Sequence, residues 1–237
     1  MMSRNTVVLF VVMVLGVLLG INVSAQNAAK STKAGSAALP PDIDPVSRYR
    51  LPMANREEMD DYGKKVYDEL IKSTPATVRL HSPRLAKPMA DAHHYLKFET
   101  GLGDRLTEVA VLTTARELDN QYEWTQWEEH GRNAKDARHV EGATIDVIKF
   151  CKPVTGLGEK EAAIIKLGRE MFGVKKVSSA TFADVLRLFG RRATVDLVEL
   201  MALYGATGAE LVAFDMQLGV NQKPLLPARA SIPACKR

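Results

Sequence analysis

This chain is poor in several features, and each absence excludes something. No stretch of useful length alternates apolar and polar residues, so β-sheet architectures are not expected. Cysteine is nearly absent: Cys151 and Cys235 are the only two in 237 residues, which leaves no CxxC redox motif and no cysteine framework. The two can pair in an oxidising compartment, or Cys151 can be a buried free thiol and Cys235 a loose one. Aromatic residues make up 6% of the chain, a composition that points to aliphatic packing. Clustered basic charge is also missing. The formal net charge is +4 and lysine and arginine are interspersed with acids, without the basic stripe a phosphate backbone requires, so no nucleic-acid partner is expected. His93 and His94 are adjacent, diverge by about 100° on a helix and lack a third ligand at metal spacing, so no metal is expected. The Gly-Leu-Gly of residues 156–158 lacks the strand-before, helix-after setting of a phosphate loop, and no cofactor is expected.

What is present begins with one long apolar run. Residues 1–25 carry Arg4, the 15-residue stretch Val7–Ile21 and then Val23-Ser24-Ala25, the three parts of a secretory signal with cleavage after Ala25. The other reading is an uncleaved anchor, but spanning a bilayer takes roughly 20 apolar residues. Export, periplasmic or secreted, is therefore expected, with no stable membrane span after cleavage. Residues 26–45, rich in Ala, Ser, Gly, Lys and Pro, read as a disordered linker.

From residue 46 to 218 the periodicity is helical throughout, predicting an all-α domain. Helices are expected over Arg56–Ile71, from Ser82-Pro83 onward, from Asp104 as cap through Leu118, over Gln121–Ala137, Thr144–Phe150 and Glu159–Phe172, from Ser178/Ser179 to Phe189, and over Thr194–Met216. The last is apolar on most sides and should be covered by core or a second subunit. Residues 219–237 form an irregular, Pro-rich tail.

Chemistry concentrates in Glu108–Ala137, two helices joined at Asp119-Asn120. Glu123, Trp127, His130 and Ala134 share one face of the second helix. Glu123 can serve as a general acid or base with its pKa raised by Trp124 and Trp127, or be a surface glutamate or an ion-pair partner of Arg116 or Arg132. Trp127 can wall a pocket or be core, and Glu128, Glu129 and Arg132 around His130 also suit a solvated face. Glu108 is either a site acid or a first-turn acid complementing the helix dipole.

Four segments, LHSPRLA (80–86), YLKFETGLGDRLTEVAVLTTAREL (95–118), QYEW (121–124) and ATFADVLRLFGRRATVDLVELMALYG (180–205), together resemble the carboxymuconolactone decarboxylase superfamily, which includes the AhpD-like alkylhydroperoxidases. The resemblance covers roughly residues 50 to 218. It implies an AhpD-like all-α fold, a homo-oligomer (trimer or hexamer) and a site on the Glu108–Ala137 helix pair. In the peroxidase branch that pair carries a CxxC; Asn120 and Glu123 stand in those positions here, so AhpD-type peroxidase activity is disfavoured. The non-thiol branch places a histidine four residues after its glutamate. This chain has Trp127 there and His130 at plus seven, about 10.5 Å along the axis, too far for a direct bond to Glu123. Glu108 matches the family's first-helix glutamate and could pair with either.

The implied activity is proton-transfer, decarboxylase or lactone chemistry on a small organic acid. Glu123, Glu108 and His130 would be catalytic, and Trp124 and Trp127 would bind substrate. The alternative is a non-catalytic small-molecule-binding or structural oligomer.

Overall fold

The computed structural model describes residues 39–72 and 78–235. The expected signal peptide, the linker as far as residue 38 and the Ser73–Pro75 break lie outside the described residues. Seven α-helices and no strand occur among those described: α1 (Asp61–Leu70), α2 (Pro83–His94), α3 (Asp104–Glu117), α4 (Gln121–Asn133), α5 (Gly142–Lys149), α6 (Glu159–Gly168) and α7 (Ser179–Ala213). The all-helical class follows.

Helix α3 is the axis of the fold. Every residue from Thr107 to Glu117 is buried, because α4, α5, α6 and α7 each pack against it. Val109, Leu112, Ile145, Ile164, Ile165, Leu197 and Leu200 form the main core with Trp124. Each fully buried aliphatic side chain of this kind contributes roughly 1.5–3 kcal/mol. Close approach depends on Gly168, where an added Cβ would lie 2.5 Å from Thr113 and 2.6 Å from Met201. A second, smaller core of Val66, Leu70, Leu80 and Ala86 joins α1 to α2.

Capping largely follows the local chemistry. Asn120 accepts the Glu123 N–H at 2.9 Å and donates to the Gly208 carbonyl at 2.9 Å, fixing the α3–α4 corner to α7. Ser178 caps α7, and that helix is broken at Gly190 (φ 73°, ψ 172°), a conformation essentially reserved for glycine. The break separates the two helices expected on either side of it. Asp104 is not the cap of α3: Gly103 is, and Asp104 begins the helix. Helix α4 stops at Asn133 rather than Ala137, because Ala134 turns extended and the returning Val140 N–H takes the Gly131 carbonyl at 3.1 Å.

One further expectation needs correction. The ordered chain extends ahead of residue 46: Ile43 is buried, and Arg50 Nε donates to Asp42 at 2.8 Å. Within the single chain the second half of α7 is not covered on all sides, since Val195 and Val212 are 60% and 68% exposed. The tail is irregular but docked. Leu225 N–H donates to Thr125, Gln222 pairs with Gln126, Arg229 pairs with Asp119, and Cys235 is disulfide-bonded to Cys151 with a Cα–Cα separation of 5.2 Å. No described helix is long and apolar enough to cross a membrane.

Candidate functional site

The small α1–α2 core does not close fully on the α4 and α7 face of the main core. Between them lies a cleft of about 990 Å³. Leu70, Ala86, Ala90 and Leu211 give it an apolar wall. Arg79, His93, Lys97, Glu123, Trp127 and Tyr204 supply its polar groups.

Glu123 sits in the first turn of α4 and is 6% exposed. Its carboxylate accepts the Trp127 indole N–H at 2.7 Å. Burial pushes its pKa up from the ordinary 4.5 to about 7, against the Trp127 hydrogen bond and the charges of Arg79 and Lys97. The helix dipole favours the anion by only roughly 0.3–1 kcal/mol, less than desolvation costs here, so burial wins. Neither arginine considered as its ion-pair partner reaches it. Arg116 goes to Asp119 and the Pro227 carbonyl, while Arg132 goes to Glu128.

Glu108 is in the second turn of α3 and fully buried, so a surface role in the helix dipole is excluded. Desolvation lifts its pKa to about 7, opposed by Lys97 and Arg138. His130 Nδ1 lies 3.1 Å from Glu108 Oε1. Arg138 can only donate, so its 3.1 Å contact makes His130 Nε2 the acceptor and leaves the ring proton on Nδ1, facing Glu108. That contact lacks hydrogen-bond geometry, and both Glu108 oxygens are otherwise unpartnered. Burial, Arg138 and Lys97 also hold His130 below its ordinary pKa. Both shifts run against charge separation, so burial weakens this contact as a salt bridge.

The five residues singled out from the sequence therefore divide. Glu123 and Trp127 face the cleft. Glu108 and His130 pair with each other and are not part of its lining, although the Trp127 ring meets His130 edge-on at 5.4 Å. Trp124 requires correction: it is 0% exposed and belongs to the core. Its indole N–H donates to Glu128 at 2.5 Å, and Glu128 also receives Lys149 and Arg132. Burial raises the Glu128 pKa, but these hydrogen bonds outweigh it and leave the group below its ordinary value.

Several cleft residues carried no usable signal in the sequence. Tyr204, on α7, contacts Trp127 edge-on at 5.6 Å, and its hydroxyl meets His93 Nε2 at 3.1 Å. Burial, with Lys97 and Arg79 nearby, pushes His93 down to about 4, so it is neutral near pH 7. Arg79 is held by Glu210 at 2.9 Å and Thr207 at 2.8 Å. Lys97 comes from a π-helical turn, Tyr95–Glu99, that a 3.6-residue period does not reveal. No group of three or more His, Cys, Asp or Glu residues able to hold a metal occurs among the described residues.

Fold and site together define an all-helical protein with an acid-bearing cleft between two cores. Comparison of the chain with protein-family models, curated proteins and solved structures finds no match.

Proposed function

We propose that the chain is an exported protein of the carboxymuconolactone decarboxylase type, non-thiol branch, which transfers a proton to or from a small organic acid or lactone bound in the cleft. Glu123 is its general acid or base. The observation that carries this reading is a buried carboxyl on the cleft wall whose pKa is held at about 7. Such a group is ready both to give and to take a proton near neutral pH, where general acid–base catalysis is most effective. Trp127 fixes the carboxylate through one oxygen, leaving the other for a ligand. Glu108 and His130 lie behind the indole and assist through Trp127 rather than by touching the substrate.

The helix order, with Glu108 on α3 and Glu123 on α4 on either side of one corner, supports the AhpD-like type that the four sequence segments resemble. Thiol peroxidase chemistry remains disfavoured: Cys151 and Cys235 are bonded to each other and line a different cavity, beside Arg169 and Arg229. A trimer or hexamer belongs to the same proposal, supported by the open apolar side chains on α7, Phe182, Val195 and Val212.

One observation favours the alternative of a binding protein without catalysis: Glu108 and His130 are not on the cleft wall. The experiment that decides is turnover of a panel of lactones and small acids by the wild type beside Glu123→Gln. Turnover lost in the variant supports the proposal, equal turnover removes Glu123 from the mechanism, and binding without turnover in both proteins favours the alternative.

A further inference from the structure

Among the charged groups of the cleft, Lys97 stands apart. Arg79 is neutralised by Glu210, and Glu123 is capped by Trp127. Lys97 has no carboxylate within ion-pairing distance among the described residues. Its Nζ instead lies 3.9 Å from the Trp127 ring centroid and 5.4 Å from that of Phe98. A half-buried ammonium resting on an indole face keeps a favourable electrostatic contact while its N–H donors stay available.

Its backbone setting is also special. Helix α2 ends in the π-turn Tyr95–Glu99, and π-turns are uncommon and concentrate at functional sites. The turn changes the angular position Lys97 would have in a continued α-helix. Glu108, Asp104 and Glu123 attract Lys97 from a distance, but none is ion-paired with it, and burial raises Glu108 and Glu123 above the ordinary carboxylate range. The protein thus places a cation in the cleft lining with no carboxylate of the described residues within ion-pairing distance.

We propose that Lys97 is the specificity-determining residue of the cleft, receiving the carboxylate of an acid ligand whose carbon body lies along Leu70, Ala86, Ala90 and Leu211. One indole connects the two ends of this arrangement: the Trp127 face carries Lys97, and its N–H carries Glu123 at 2.7 Å. An acid anchored on Lys97 therefore presents the carbons next to its carboxylate to the Glu123 carboxyl. The inference rests on the proposed function of the cleft and adds what selects an acid over a neutral molecule of the same shape.

The test compares two matched pairs, benzoate with benzamide and crotonate with crotonamide. Their affinities for the purified full chain are measured by titration with ligand-observed NMR, for wild type, Lys97→Gln and Lys97→Arg. Wild type is expected to prefer each acid over its amide by about tenfold or more, the range of a hydrogen bond to a charged group. Lys97→Gln should bring that ratio close to one with the amide affinity unchanged, and Lys97→Arg should restore much of it. The ratio separates recognition from folding, because a merely structural lysine would weaken acid and amide alike. Acids bound by wild type with no preference, or with a preference that survives Lys97→Gln, would overturn the role of Lys97 while leaving the proposed function standing. Failure of wild type to bind either acid would overturn the acid-binding reading of the cleft itself.

Discussion

Replacing Glu123 by Gln should change how stability depends on pH, and the size of the effect follows from the buried carboxyl. Its folded pKa is about 7 against an ordinary 4.5. Between those values the folded protein holds a proton that the unfolded chain has released. Stability is therefore unaffected well below pH 4.5, falls as pH rises, and levels off above about 7. With 1.36 kcal/mol per pH unit, the loss attributable to Glu123 is roughly 1 kcal/mol at pH 5 and roughly 3 kcal/mol at pH 8. Gln keeps an oxygen to accept the Trp127 N–H but cannot ionise. Any cost of burying its amide is independent of pH, and Glu108 titrates in both proteins. The measurement is denaturant unfolding of wild type and Glu123→Gln at pH 5 and pH 8. The stability difference should move in favour of the variant by roughly 2–3 kcal/mol between the two conditions. Parallel curves would show that Glu123 is not a desolvated carboxyl and would refute the reasoning.

Two other outcomes are expected. Cys151→Ser opens the link between residues 84 apart in sequence and should cost roughly 2–5 kcal/mol of stability; unchanged unfolding of the variant against the oxidised wild type would contradict the pairing. Trp124→Phe removes a core indole and its N–H to Glu128, and should cost roughly 1–3 kcal/mol while leaving ligand affinity in the cleft unaltered. A change in affinity at preserved stability would return Trp124 to the site.

Much of the fold was legible because its signals are local. Asn120 at a corner and Ser178 before a helical run each act within a few residues, and each does in the structure what its chemistry suggests. The site was legible only in part. The spacing of Glu123, Trp127 and His130 shows a shared face, and rules out a direct bond over seven residues. It cannot say that Trp127 would meet the cleft while Trp124 entered the core, because that is set by where the α1–α2 unit and α7 lie. The Glu108–His130 approach joins two helices, and the Cys151–Cys235 bond joins α5's end to the tail; both depend on long-range packing. Lys97 stayed hidden because a π-turn departs from the periodicity by which helix faces are read.

The central claim is that Glu123 moves a proton in the cleft, and the most direct measurement is the pH profile of turnover for whichever lactone or small acid of the panel wild type converts. The expected result is a dependence on one ionisation near pH 7, the value that burial gives this carboxyl. Glu123→Gln should retain ligand affinity and lose turnover by at least about a hundredfold, the lower range for a general acid or base. Turnover within twofold of wild type, with the same pH dependence, would contradict the claim.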